Sequence, residues 1–285
     1  MVRIRNLHFG YFKKRPLFQN LDLTLERGHI YGLLGKNGAG KSTLLKNIVG
    51  LAFPDADTCE VLEQPAARRL PAVLADLFFL PEEIYVPAVT AAKFVEQTAG
   101  FYPKFDQQAL MRYLSEFEVP AQAVLTALSF GQQKKFMIAF ALAANTSLLV
   151  MDEPTNGLDI PSKAQFRKLI AMALTEERCL IVSTHQVRDL ESLIDTVVVL
   201  HGQRIVLNAD LGELAERLTF ATVPEAASAD LYAEESVRGA QVIRANRSGV
   251  PGRVDLELLF NALVGEAPAL AHYLSQNQPV HEPVL

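Results

Sequence analysis

The chain has 285 residues, 49% of them hydrophobic and 21% charged, with a net charge of −5. These values describe a globular protein of one large domain plus an appendage, or of two domains, and they exclude a basic surface with a general attraction for nucleic acid. The two cysteines, Cys59 and Cys179, have neither metal-ligand nor disulfide-framework spacing, and read as free thiols in a reducing compartment. The N-terminus lacks the apolar core of a signal peptide, and the longest apolar run, Phe136 to Ala144, is far below the ~20 residues that span a bilayer. The expectation is a soluble chain, so that work at a membrane would need another polypeptide to do the spanning.

Val2 to Phe9 and Leu21 to Leu25 alternate apolar and polar residues and are predicted as antiparallel strands near one edge of the domain. Lys13, Lys14, Arg15 and Pro16 mark an exposed turn between them. His29 to Leu34 is a short apolar strand, and Ser42 to Val49 a helix stopped by Gly50. Between strand and helix stands G-K-N-G-A-G-K-S, which fits the phosphate-cradling pattern G-x-x-x-x-G-K-[ST] at every fixed position. Gly35, Gly38 and Gly40 allow tight turns that bring backbone N–H groups against phosphate oxygens, and the following helix offers its positive end. Lys41 is expected at the β- and γ-phosphates and Ser42 on Mg²⁺. Lys36, Asn37, Ala39 and Thr43 complete the nucleotide-lining stretch.

Pro54 to Leu70 reads as irregular, Leu74 to Leu80 as a buried strand ending at Pro81, and Val89 to about Val119 as two amphipathic helical segments on either side of a turn at Gly100 to Phe105. Ser129 then N-caps an apolar helix ending near Asn145, so a small helical subdomain is expected over about 84–145. Ser147 to Met151 and Cys179 to Ser183 are continuous apolar strands of the kind buried on both faces of a parallel sheet. Pro161 opens a helix over Lys163 to Leu174, Val197 to Leu207 reads as a hairpin turning at His201 and Gly202, and Asp210 to Leu218 as a last helix. Beyond Leu218 the texture changes to a small accessory domain or docking tail over 219–285, with one amphipathic piece at Val254 to Leu263 and frayed residues from Ser275. Strands alternating with helices indicate an α/β protein with ligands at the carboxyl ends of its parallel strands.

The run L-L-V-M-D-E, Leu148 to Glu153, puts two carboxylates at the end of such a strand. Asp152 there can hold Mg²⁺, directly or through water, and Glu153 can act as general base on the attacking water. The polar stretch Pro154 to Asp159 is an ordered loop beside the site. In L-S-F-G-Q, Leu128 to Gln132, Ser129 and Gly131 at a helix N-terminus make a second anion-binding end.

Taken together, these motifs resemble the ATP-binding cassette (ABC) ATPases over roughly residues 1–218. The resemblance implies an α/β P-loop NTPase of ABC type: a parallel core sheet, an antiparallel β subdomain, a small helical subdomain and a C-terminal accessory extension. It also implies that L-S-F-G-Q is the signature segment, whose Ser129, Gly131 and Gln132 close over ATP held by the opposite protomer. Tyr11 then corresponds to the aromatic residue that stacks on adenine, with Phe12 as its rival. His185 corresponds to the histidine that touches the γ-phosphate, and Asp159 to the aspartate that bridges protomers. The sequence departs from the family twice: Phe130 replaces the first signature glycine, and Glu82 stands where a glutamine is usual, where it can still approach Mg²⁺.

The implied activity is hydrolysis of ATP with Mg²⁺ at an interface shared by two cassettes, either a homodimer or a pair with a homologous cassette. The resemblance further implies a subunit that energises a membrane transporter, in the manner of single-cassette bacterial exporters. Such a subunit is cytoplasmic, peripheral on the inner face of the cell membrane, and joined to a separate membrane-spanning permease. The segment Glu82 to Tyr102 is the candidate for receiving the permease's coupling helix. The alternative is a soluble ABC ATPase acting on nucleic acid, ribosomes or cofactor assembly. The single cassette and the lack of a coiled-coil insertion, a zinc-ligand cluster and a basic face all weigh against it. No nucleic-acid partner is expected.

Overall fold

The computed structural model describes residues 1–12, 15–54, 59–237, 239–265 and 267–276. The predicted turn at Lys13 and Lys14, part of the irregular stretch, and the end of the tail beyond Gln276 fall outside them. The chain divides into two compact units, Met1–Asn208 and Ala209–Leu285.

In the first unit, β1 (Val2–Phe9) pairs antiparallel with β2 (Phe18–Leu25). Their alternation is interrupted where Asn6 takes a positive φ and the register shifts between Ile4 and Leu7, a β-bulge. Next come β3 (His29–Leu34), α1 (Lys41–Ile48), β4 (Cys59–Val61) and β5 (Gln64–Pro65). The first sheet has the order β2-β1-β4-β5, so part of the stretch read as irregular extends it by two short strands. α2 (Pro71–Leu74) precedes β6 (Leu77–Leu80). The predicted strand therefore starts three residues late, because Pro71 at the first helical turn favours a helix there.

The helical subdomain comprises α3 (Ala91–Thr98), α4 (Gln107–Glu116) and α5 (Phe130–Ala143), capped by Thr90, Asp106 and Ser129 respectively. Its centre is aromatic. The ring of Phe140, fully buried, lies within 6.5 Å of those of Phe78, Phe94, Tyr102, Phe105 and Phe136.

The remaining elements of this unit are β7 (Leu148–Asp152), α6 (Ile160–Ala173), β8 (Cys179–Thr184), β9 (Thr196–His201) and β10 (Arg204–Asp210). They form a six-stranded sheet, order β10-β9-β3-β8-β7-β6, in which β9, β3, β8, β7 and β6 are parallel. Every residue of β7 and β8 is buried, as a sheet covered on both faces requires. Gly202 and Gln203 both take positive φ between β9 and β10, the two-residue hairpin turn whose twist suits the strands. One hydrophobic core runs from β1 and β2 through Leu44, Leu45 and Ile48 of α1 to Leu148, Val150 and Ile181 of the parallel sheet.

The second unit begins ten residues before the change in composition. Its α7 (Leu211–Arg217), capped by Asp210, is followed by β11 (Leu218–Val223), β12 (Tyr232–Ser236) and β13 (Gly239–Ala245), an antiparallel sheet of order β11-β13-β12. Two helices close it, α8 (Leu256–Val264) and α9 (Pro268–Gln276). α7 belongs here because Arg217 donates to the carbonyls of Tyr273 and Leu274, and the Tyr273 hydroxyl donates back to the Arg217 carbonyl.

Candidate nucleotide site

Register brings the site together. Leu34 of β3 is level with Thr184 of β8, Asp152 of β7 with Ser183, and Leu80 of β6 with Met151. The residues just past these strand ends are Gly35, His185, Glu153 and Glu82, so four separate stretches of sequence deliver their functional groups to one edge of the sheet.

The phosphate loop shows why its glycines are needed. A Cβ on Gly35 would stand 2.8 Å from the Leu200 carbonyl. Gly40, at φ 105°, is the N-cap of α1 and leaves room for the Phe18 ring, 3.0 Å from where a Cβ would be. Unlike α3, α4, α5 and α6, α1 has no side-chain cap, so the N–H groups of its first turn are available to an anion. The loop opens onto a cavity of about 470 Å³ lined by Asn37, Gly38, Lys41, Ser42, Glu82, Glu153 and His185, with Leu17, Gly40 and Thr43.

Lys41 is buried, and its Nζ donates to the Gly35 carbonyl at 2.8 Å and the Lys36 carbonyl at 3.5 Å. It also lies 3.5 Å from Glu153 Oε1, and His185 Nδ1 is 2.9 Å from the same oxygen. Asp152 is buried and accepts a short hydrogen bond from the Ser183 hydroxyl, whose oxygen in turn accepts the Glu153 N–H at 3.0 Å. Ser183 thus ties both strand-end acids to the neighbouring strand.

The residues present fit the groups expected of them. The Ser42 hydroxyl and the Asp152 and Glu82 carboxylates are hard oxygen donors of the kind Mg²⁺ accepts. Glu153 Oε2 is buried and, among the described residues, has no hydrogen-bond partner, leaving an acceptor ready for the proton of a bound water. Tyr11 and Phe12 are both exposed, but only Tyr11 is tied to the loop, its hydroxyl 3.3 Å from Thr43 Oγ1. Its ring packs edge-on against Phe9.

A second cavity of about 390 Å³ is lined by Ser129, Gly131, Gln132, Lys135, Gly157, Leu158, Asp159 and Ser162. It shares no lining residue with the first. Ser129 and Gln132 form a capping box at the start of α5, and Asp159 caps α6 by accepting the Ser162 N–H at 2.9 Å. Hydrogen bonds from Ser162 hold the Asp159 carboxyl below the usual carboxylate range. Phe130, in the unusual signature position, lays its half-exposed ring over Gly157, where a Cβ would stand 2.9 Å from Phe130 Cε1.

Three participants went unnoticed in the sequence. Ser183 was detectable as a polar residue inside the apolar run C-L-I-V-S-T. Asn156, which donates to Glu82 Oε1 at 3.0 Å, and Lys134, whose Nζ donates to the Glu153 carbonyl, carry no local signal. Two lysines stand side by side in Q-Q-K-K, and only the fold decides that Lys134 is the buried one.

The parallel sheet, the uncapped helix behind a glycine-rich loop and the acids at the end of β7 define a phosphate-loop ATPase of the cassette type. The model that describes the ABC transporter family matches residues 18–156, and the chain belongs to that family. The Nod factor export ATP-binding protein I of Rhizobium etli is 30% identical over 80% of this chain and 74% of its own length. The ribose import ATP-binding protein RbsA of Rhodopirellula baltica is 31% identical over 68% of this chain and 40% of its own length. Among solved structures, the dimeric post-hydrolysis state of the cassette MJ0796 bound to ADP and Pi superposes with a TM-score of 0.65. It is 21% identical, covering 74% of this chain and 99% of that one, and the likeness is one of fold. The chain is thus an ATP-binding cassette ATPase of a transporter. No helix among the described residues is long and apolar enough to cross a membrane.

Proposed function

We propose that this chain energises a membrane exporter by closing as a dimer around ATP and reopening after hydrolysis, with a separately encoded permease as its membrane-spanning partner. The observation that carries the reading is the separation of the two cavities. The phosphate loop, Glu153 and His185 share one, while Ser129, Gly131 and Asp159 share the other, so each ATP needs two chains to be enclosed.

In this reading the N–H groups of the loop and of the first turn of α1 bind phosphate oxygens, and Lys41 turns from Gly35 and Glu153 to the β- and γ-phosphates. Ser42 and Asp152, with Glu82 nearby, would hold Mg²⁺, which would offset phosphate charge when bound. Tyr11 stacks on adenine. Glu153 takes a proton from the attacking water, and His185, bonded to the same carboxylate, contacts the γ-phosphate. Ser129, Gly131 and Gln132 of one copy meet the nucleotide of the other, and Asp159 spans the interface. ATP favours the closed pair and hydrolysis releases it.

The chain works on the cytoplasmic face of the membrane. Tyr85, 87% exposed beside the Glu82 segment, is our candidate contact for the permease, and the relative named for Nod factor export supports the outward direction.

The test is capture of partners from detergent-solubilised native membranes by tagged Glu153→Gln with ATP present. One polytopic membrane protein is the expected catch, and its transport assayed in inverted vesicles gives the direction. Recovery of only ribosomes, nucleic acid or soluble proteins would overturn the transporter reading and leave the ATPase chemistry standing.

A further inference from the structure

Lys134 lies just over one turn into α5, with no exposed surface. Its Nζ donates to the carbonyls of Glu153 at 2.9 Å, Asn156 at 3.0 Å and Glu82 at 3.4 Å. An ammonium has three N–H donors and no acceptor, so the group is fully used. Lysine is almost never completely buried unless something compensates its charge. Here burial pulls the ammonium below the usual lysine range, while the negative charges of Glu82, Glu153 and Asp152 oppose the shift. The Phe130 ring, 5.8 Å from Nζ, adds its face.

The three carbonyls belong to two segments that line the cavity, the turn after β6 and the loop after β7, and α5 supplies the cation that joins them. Asn156 completes the circuit by donating to Glu82 Oε1. The arrangement matters most at Glu153. That residue sits at φ 46°, a left-handed conformation unfavourable for a side chain with a Cβ, and it precedes a proline, which restricts it further. Strained residues persist only where their surroundings hold them. The Glu153 N–H is held by Ser183 and its carbonyl by Lys134, so its peptide groups are fastened on both sides of the Cα.

We propose that Lys134 is a positioning residue for ATP hydrolysis: its buried ammonium gathers the carbonyls of Glu82, Glu153 and Asn156 and so aims the Glu153 carboxylate into the phosphate-loop cavity. The proposal rests on Glu153 being the general base. Lys134 touches neither nucleotide nor water itself. A side chain of similar length without donors would fill the space and leave the strained loop unheld.

The experiment compares Lys134→Met, Lys134→Gln and Glu153→Gln with the unaltered chain. It reads turnover, ATP affinity by calorimetry, and hydrogen–deuterium exchange of the 153–158 amides without nucleotide. Lys134→Met is expected to lower kcat at least tenfold and to speed exchange at 153–158 by a similar factor. ATP affinity should stay within threefold, because the phosphate loop is untouched. Lys134→Gln, which keeps two donors, should recover part of the turnover. Turnover of Lys134→Met within twofold of the unaltered chain would overturn the proposal. If Lys134→Met does not fold, Lys134→Gln decides: a fall in kcat of threefold or more at unchanged affinity supports positioning, and a smaller one overturns it. Glu153→Gln separates the two ideas. Normal turnover there removes the base and with it the role of Lys134, whereas an inactive Glu153→Gln beside a fully active Lys134→Met removes the positioning role alone.

Discussion

Lys41 Nζ stands 3.5 Å from Glu153 Oε1, and both side chains are more than nine-tenths buried. A cation from the first turn of α1, the helix after β3, and an anion just past the end of β7 thus meet across β8, the strand that lies between β3 and β7 in the sheet. The pair sits where phosphate charge and a reacting water would arrive. Its two members answer to different measurements.

Lys41→Ala removes the donor to the Gly35 carbonyl and the cation facing Glu153. A hydrogen bond to a charged group is worth about 1.5–3 kcal/mol, so ATP affinity should fall by at least about tenfold. Titration calorimetry with ATP measures this directly. An unchanged Kd would remove Lys41 from the phosphate site.

Glu153→Gln keeps the size of the side chain and removes its basicity. Turnover should drop by about 10²–10⁴, the usual contribution of a general base, while ATP still binds. The stalled chain should then accumulate as a dimer in light scattering with ATP. A variant with near-normal turnover would end the assignment.

Motifs whose chemistry is local were legible in the sequence. The phosphate loop, the strand ending in Asp152 and Glu153, and the Ser129 cap each announce themselves within a few residues, and β3, α1, β7 and α5 follow from apolar period and caps. What stayed hidden depends on distant partners. β4 is a strand because β1 offers an edge to pair with, and β5 because β4 does in turn, while Leu74, predicted as the first residue of a strand, instead ends the short helix that Pro71 opens. β11, β12 and β13 form a sheet from a stretch rich in Ala, Ser, Thr and Glu, whose weak alternation gives no strand signal, although Val242 and Ile243 are both buried, on opposite faces of β13. Lys134 is the sharpest case, since nothing in Q-Q-K-K says which amine the fold will bury.

The helical subdomain depends on one ring. Phe140→Ala deletes a fully buried side chain that touches five other aromatic residues, and should cost about 3–5 kcal/mol of stability. Urea unfolding followed by near-ultraviolet circular dichroism reports the loss. Phe140→Leu, which keeps most of the volume, should cost markedly less. A loss below about 1 kcal/mol for the alanine variant would mean that the cluster relaxes to fill the space.

The two thiols give the first unit a limit in alkali. Burial raises both Cys59 and Cys179 from an ordinary 9.0 to about 12, with nearby carboxylates acting in the same direction. In each case the folded chain holds the proton more tightly than the unfolded chain does. The stabilisation is therefore fully present below pH 9 and is lost as pH rises from about 9 towards 12. The full loss is on the order of 4 kcal/mol for each thiol. Tyr31, raised by burial as well, adds to the same trend. Urea midpoints should be flat from pH 7 to 8.5 and fall from pH 9 upward, and the double variant Cys59→Ala, Cys179→Ala should show a shallower fall. At pH 8 a disulfide-exchange dye should label neither thiol until urea unfolds the chain. Rapid labelling of the folded chain, or an equally steep alkaline loss in the double variant, would show that other groups set the limit.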